Sequence, residues 1–210
     1  MTSPPPAKRR YNAARRQEQA GQTRLNILLA ARGLFIQAGY NGATIEAIAQ
    51  AAGVAPETVY AVFGSKRALL AGVFALAVGG DQQPIPLLQR PGPQAVLGEP
   101  DPGKRLHLFA ADIVNILERV APLFVVARAA AKDEPEIDAL LRTILANRLR
   151  NITQFTSSLP LRPGLDAVVA GETAWALSSP ELFSLFTADR GWTREQYIAW
   201  LGDSLVQLLI

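Results

Sequence analysis

The chain has 210 residues, a net charge of +3, one histidine and no cysteine. About half of it is apolar, enough for a sizeable core, while disulfides, thiolate nucleophiles and cysteine–zinc sites are excluded. No secretory h-region opens it and no run reaches the ~18 apolar residues of a membrane span, so the expectation is a soluble, cytoplasmic protein with no membrane partner.

The charge is unevenly placed. Lys8, Arg9, Arg10, Arg15, Arg16 and Arg24 stand in the first 24 residues against Glu18 alone, whereas the part after residue 80 is mildly acidic. A polyanion partner for the N-terminal end follows, because Lys and Arg displace counterions condensed on phosphates. Residues 1–21 hold three consecutive prolines and little apolar content, and read as a disordered basic arm. The arm either follows a nucleic-acid backbone, with Arg15 and Arg16 best placed to do so, or is a solvated tail.

Residues 22–78 read as a small helical domain with its linking helix. Thr23–Ala38 is the first helix, with Leu25, Leu28, Leu29, Phe35 and Ile36 as its apolar face and Arg32 interrupting it. Gly39-Tyr40-Asn41-Gly42 supplies turn chemistry. Ile45, Ile48, Ala49 and Ala52 then form one stripe of a short helix, with Thr44 placed to cap it and Gly53 to end it. Pro56 suits the first position of the next helix, where a missing N–H costs nothing, and Val59 and Phe63 can pack back on the first. Two short helices across a glycine turn form either a helix-turn-helix or an ordinary αα-corner. Gly64-Ser65 opens a fourth helix to about Val78, with Leu69, Leu70, Val73, Phe74 and Ala77 buried.

More than spacing is present. Gly39-Tyr40, Thr44, Ile48-Ala49, Ala52-Gly53-Val54, Thr58-Val59-Tyr60, Phe63, Ser65-Lys66 and Leu69-Leu70 closely resemble the DNA-binding motif of the TetR family of bacterial transcriptional regulators. Upstream, Thr23-Arg24, Ile27-Leu28, Ala30-Ala31 and Leu34-Phe35 resemble the family's first helix. The resemblance covers roughly residues 22–74. It implies a three-helix head reading a two-fold double-stranded operator, a helical regulatory lobe, a homodimer and a small-molecule effector of unknown identity.

On that resemblance the second helix of the motif presents Ala55, Pro56, Glu57, Thr58, Tyr60 and Ala61 to the major groove. Tyr60 and Lys66 contact phosphates; Ala43 and Thr44 do so through the amides at their helix start; Thr23 belongs to the same DNA-facing set. Glu57 either accepts from a cytosine amino group or complements the helix dipole. The pattern departs from the family's commonest one: Ala55 cannot cap its helix, and Ala61 and Val62 replace larger residues. The reading surface is therefore poor in hydrogen bonds.

Residues 79–103 contain six prolines and five glycines and read as an irregular connection between two lobes. From 104 to 210 the pattern is helical throughout: 104–118, a helix from Pro122 to about Ala131, 134–158, 165–178, a short one after Ser179-Pro180, and 193–210 opened by a Thr193/Gln196 capping box. No period-2 strand appears, so the expected fold is all-α.

Catalysis finds no footing. No phosphate loop, metal-ligand spacing or nucleophile motif is present, and the expectation is a protein with no metal, no cofactor and no enzyme activity. The family's effector pocket would lie among the middle helices, lined by Phe109, Ile113, Phe124, Arg128 and Phe155 with His107 or Asp112 as polar anchors. Each of these is equally an ordinary core or surface position. The family's dimer interface would fall on helices 165–178 and 193–210, with Trp175, Leu182, Phe183, Trp200, Leu201, Leu205 and Leu208 as candidates, unless these are intrachain core. The leading expectation is a ligand-responsive regulator, a repressor released by a mostly apolar ligand. The alternative is a helical adaptor of the same fold that does not read DNA.

Overall fold

A computed structural model describes residues 7–210, with side chains from Arg15 onward. Among the described residues ten α-helices run in order: α1 Ala7–Gly42, α2 Ile45–Ala52, α3 Pro56–Phe63, α4 Lys66–Gly79, α5 Pro91–Gly98, α6 Pro102–Ala130, α7 Pro135–Thr156, α8 Ala167–Leu177, α9 Pro180–Ser184 and α10 Arg194–Leu209. Among the described residues there is no strand. No single described helix is long and apolar enough to cross a membrane. The fold is all-α.

The chain divides into two compact units, Met1–Val73 and Phe74–Ile210. The division falls inside α4, which is continuous across it. It therefore does not fall in the Pro/Gly-rich stretch 79–103, which belongs entirely to the second unit. That stretch is also more ordered than its composition suggests. Pro91 occupies the first turn of α5, where helix donors are unused in any case, and Val96 is buried.

The first unit is held by short apolar stripes. Ile27, Leu28, Ala31 and Phe35 of α1 are buried, as are Ile45, Ile48 and Ala49 of α2, Val59 of α3, and Leu69, Leu70 and Val73 of α4. Each such side chain contributes about 1.5–3 kcal/mol. The α1 face is rotated from the one expected: Leu29 and Ile36 are exposed, and Ile27 and Ala31 take their place. The basic segment is not an unstructured arm either. From Ala7 on it is the first half of α1, built of good helix formers and stitched by Gln22 Nε2 donating to Asn26 Oδ1 at 2.8 Å. Residues 1–6 of that segment lie outside the described residues.

The second unit is built on α6. This helix runs through Pro122 without a break, where the spacing suggested two helices. An internal proline costs about 3 kcal/mol. Here Leu117, Val120, Ala121, Leu123, Phe124, Val126 and Ala127 are buried on either side of it, and that burial outweighs the loss. Helices α5, α7, α9 and α10 pack on α6, and α8 packs on α7. The α7–α8 approach is close at Gly171, where an added Cβ would stand 2.6 Å from Thr153 Oγ1 and 3.2 Å from Thr153 Cα. Helix α10 begins with the expected capping box between Thr193 and Gln196.

Candidate nucleic-acid interface

The candidate interface is the α2–α3 pair. Thr44 is extended at φ −78°, ψ 155°, and its hydroxyl accepts from the Ala47 amide. Gly53 closes α2 in the left-handed region at φ 69°, ψ 34°, and its N–H donates to the Ala49 and Gln50 carbonyls. The chain then turns and Pro56 starts α3. Ala55 makes no side-chain cap, as its methyl dictates, so α3 begins with its first-turn donors unassisted from the side. Val59 is buried and fixes the inner face of α3.

That rotation decides what α3 presents. Ala55, Glu57, Tyr60 and Ala61 are exposed; Pro56 and Thr58 are half-buried. Tyr60 keeps half of its surface open, at 50%. The proposed reading surface therefore sits on one outer face, with Thr44 exposed at the neighbouring start of α2. Ala43 does not join it: the residue is fully buried and its N–H donates to the Gly39 carbonyl at 3.2 Å. Thr23 is half-buried; Arg15 and Arg16 are exposed far along α1.

Two cations are tied into the head by contacts that the sequence did not reveal. The Arg24 guanidinium lies 4.4 Å over the Phe63 ring, linking α1 to the end of α3. Lys66 Nζ lies 4.7 Å over the Tyr40 ring and donates to the Asn41 carbonyl at 3.3 Å. Both arrangements hold a cationic group near the helix-turn-helix. Their only sequence signal is an aromatic residue in a turn or at a helix end.

The N-terminal part matches the family model for bacterial regulatory proteins of the tetR family over residues 27–73. The head, over residues 27–73, is similar to that of the TetR family. No curated protein sequence matches the chain. Solved structures share the fold along almost the whole chain. A Rhodococcus sp. protein described as a TetR-family transcriptional regulator superposes with a TM-score of 0.70 at 19% identity, covering 90% of this chain and 99% of that one. The fatty acid degradation regulator FadR of Bacillus halodurans gives 0.69 at 17% identity, over 87% and 94%. NalD of Pseudomonas aeruginosa, the secondary repressor of the MexAB-OprM multidrug efflux pump, gives 0.66 at 23%, over 90% and 96%. TetR-family regulators bind DNA and are not enzymes; among the described residues no group of acidic, His or Cys side chains could hold a metal.

In the second unit the expected effector residues separate. Phe109 and Phe155 are buried and stacked, ring centroids 4.5 Å apart. Phe124 is buried edge-on against Phe74 at 5.3 Å. Ile113 and Asp112 are half-buried. Burial pushes the Asp112 carboxyl above the usual range, and Arg119 draws it back down. The carboxylate occupies the space a Cβ would need at Gly92 of α5. His107 and Arg128 are not pocket anchors. His107 is exposed against Gly202 of α10, with Nε2 3.5 Å from Asp203 Oδ1. Arg128 is exposed and paired with Glu181.

The expected dimer residues divide likewise. Phe183, Leu201 and Leu205 are buried within the chain, Phe183 edge-on to Tyr197 at 5.2 Å, so they are intrachain core. Trp175, Leu182 and Trp200 are half-buried and Leu208 is exposed. On α8, Val168 and Val169 are exposed as well, at 60% and 48%.

One buried group was missed. Arg148 Nη2 donates to the Trp175 carbonyl at 2.7 Å and to Ser178 Oγ at 2.8 Å, capping the end of α8. Its guanidinium stands 5.2 Å from the Trp175 ring, and its Nε and Nη1 have no partner. Burial lowers its pKa to about 10. The signal was its position on the Leu141, Ile144, Leu145, Ile152 stripe of α7, where a charge must find buried acceptors.

Proposed function

We propose that this chain is a dimeric, ligand-responsive transcriptional regulator that binds a two-fold operator and acts as a repressor in the cytoplasm. The observation that carries the reading is the outer face of α3: a buried Val59 turns Glu57, Tyr60 and Ala61 outward with Thr58 half-buried beside them, behind a helix start capped by Thr44. Thr58 and Tyr60 supply hydroxyl donors for phosphate or base edges, and Ala55 and Ala61 suit thymine methyl groups. Lys66, held beside Tyr40, supplies a phosphate contact at the start of α4.

Dimerisation would place two heads over two half-sites. Trp175, Leu182, Trp200 and Leu208, together with Val168 and Val169, are the apolar groups on and near α8 and α10 left for it. The effector would be mostly apolar, received among Phe109, Ile113, Phe124 and Phe155 with Asp112 as its polar neighbour. The likeness to a fatty acid degradation regulator and to an efflux-pump repressor supports an apolar ligand. Its effect requires different affinities for two conformations of the lobe.

The test is selection from random duplex DNA with the purified protein, read against its oligomeric state. Enrichment of a two-fold sequence by a dimer supports the reading. Enrichment of nothing would favour a second reading, a helical adaptor of this fold, for which the hydrogen-bond-poor α3 and the uncapped Ala55 are the motivating observations.

A further inference from the structure

Three buried donors in the second unit lack a hydrogen-bond partner, and they stand together. They are Arg148 Nε, Arg148 Nη1 and Trp175 Nε1, and among the described residues no other buried side-chain nitrogen or oxygen is left so. All three belong to one pair of side chains: the Arg148 guanidinium of α7 lies 5.2 Å from the centre of the Trp175 ring of α8. An unpaired buried donor costs free energy, so three in one pair call for an acceptor.

The neighbouring polar groups are spoken for. Arg148 Nη2 takes the Trp175 carbonyl and Ser178 Oγ, and Ser178 Oγ donates in turn to the Ala174 carbonyl at 2.6 Å. The Tyr197 hydroxyl donates to the Leu177 carbonyl at 2.9 Å, and burial keeps it protonated. Glu181, whose charge Arg148 feels, is paired with Arg128 instead. The cluster therefore holds one cation, three free donors and no bonded carboxylate. An acceptor-only group of single negative charge matches it: a carboxylate has two oxygens with about four lone-pair sites, whereas a dianion would leave charge buried and unbalanced. Trp175 is half-buried, so its indole both shields the donors from water and offers an apolar face to whatever carries the carboxylate. The guanidinium is anchored through Nη2, so opening the cluster falls to the indole.

We propose that Arg148 and Trp175 form a binding site for the carboxylate of an apolar monocarboxylic acid, opened by movement of the Trp175 indole. The site uses none of the residues offered above for the effector, and it does not depend on the head reading DNA. Arg148 supplies the charge and two donors, and Trp175 supplies the third donor and the apolar contact.

The experiment uses the full chain in the oligomeric state it adopts, since Trp175 is also offered for the dimer interface. Octanoate, 1-octanol and sulfate are titrated by calorimetry and by tryptophan emission. The proteins are wild type, Arg148→Met, Trp175→Phe and Arg142→Met, the last replacing an exposed arginine of the same helix that pairs with Asp138. Methionine fills the length of the arginine stem, and phenylalanine keeps an aromatic ring while removing the indole N–H. Wild type should bind octanoate more tightly than octanol or sulfate, with a change in emission that Trp175→Phe abolishes. Arg148→Met should weaken octanoate about tenfold or more, the loss of charge-assisted bonds, and Trp175→Phe about fivefold. Arg142→Met should bind as wild type does. Octanoate bound no better than octanol, or bound equally by wild type and Arg148→Met, would show an apolar contact only and overturn the proposal. Preference for sulfate, or no binding of octanoate at all, would overturn it as well. None of these outcomes bears on DNA binding, so the regulator reading stands or falls separately.

Discussion

Arg119 Nε, on α6, donates to the Ala77 carbonyl in the last turn of α4 at 2.6 Å. Its Nη2 reaches the Val78 carbonyl at 3.4 Å, and Arg90 Nη1 donates to the Gly79 carbonyl at 2.6 Å. Two guanidiniums thus satisfy the orphan carbonyls that end α4, where positive charge also suits the helix dipole. Arg119→Met should lower stability by about 1–2 kcal/mol, the range for a half-buried charged donor. A urea unfolding midpoint unchanged from wild type would show that the cap contributes nothing.

Asp112 gives a pH signature. Burial raises its carboxyl pKa in the folded chain, so the folded state favours the protonated form. Its contribution to stability is present below the unfolded value and is lost as pH rises through the folded one. Asp112→Asn should therefore stabilise the protein at about pH 7, with the gain shrinking toward pH 4 and below. Thermal melts of both proteins across that range are the check; a gain that grows on acidification would contradict the assignment.

Gly171→Ala sets two magnitudes against each other. Alanine in a helix interior gains about 1 kcal/mol over glycine. The new methyl would stand 3.2 Å from the Thr153 Cα, a backbone atom that cannot rotate away. Overpacking of this kind costs about 1–3 kcal/mol, so the variant should be less stable than wild type in a chemical melt.

Arg148 is charged, buried and only partly bonded. Replacing such a group by an apolar one of similar length removes a desolvation cost along with its bonds. Arg148→Met should remain within about 1 kcal/mol of wild type, whereas Arg148→Ala leaves a cavity and should cost about 2–5 kcal/mol. Equal losses in the two variants would show that the hydrogen bonds to Trp175 and Ser178 dominate.

The head was legible because its signals are local. Thr44, Gly53 and Pro56 each act through their own backbone geometry, and all three do what their chemistry allows. Elsewhere tertiary packing overrode composition. Pro122 reads as a break, but the burial around it keeps α6 whole. Residues 7–21 read as disordered by charge, yet their helix formers continue α1. Leu201 and Leu205 are apolar whether they face a partner or their own core, and periodicity cannot tell these apart. His107 and Arg128 lie on otherwise apolar runs, but their helix faces point outward to Asp203 and Glu181.

The central claim is that α3 and the start of α4 grip DNA. Its most direct test is binding to DNA from just upstream of the protein's own coding region, at two salt concentrations, for wild type, Tyr60→Ala and Lys66→Ala. Lys66 is half-buried and held by the Tyr40 ring and the Asn41 carbonyl, so its loss should cost the fold about 1 kcal/mol. The account predicts selective binding that both substitutions weaken, with the salt slope falling by about 1 for Lys66→Ala. Binding that is weak, unselective and indifferent to both substitutions would contradict it.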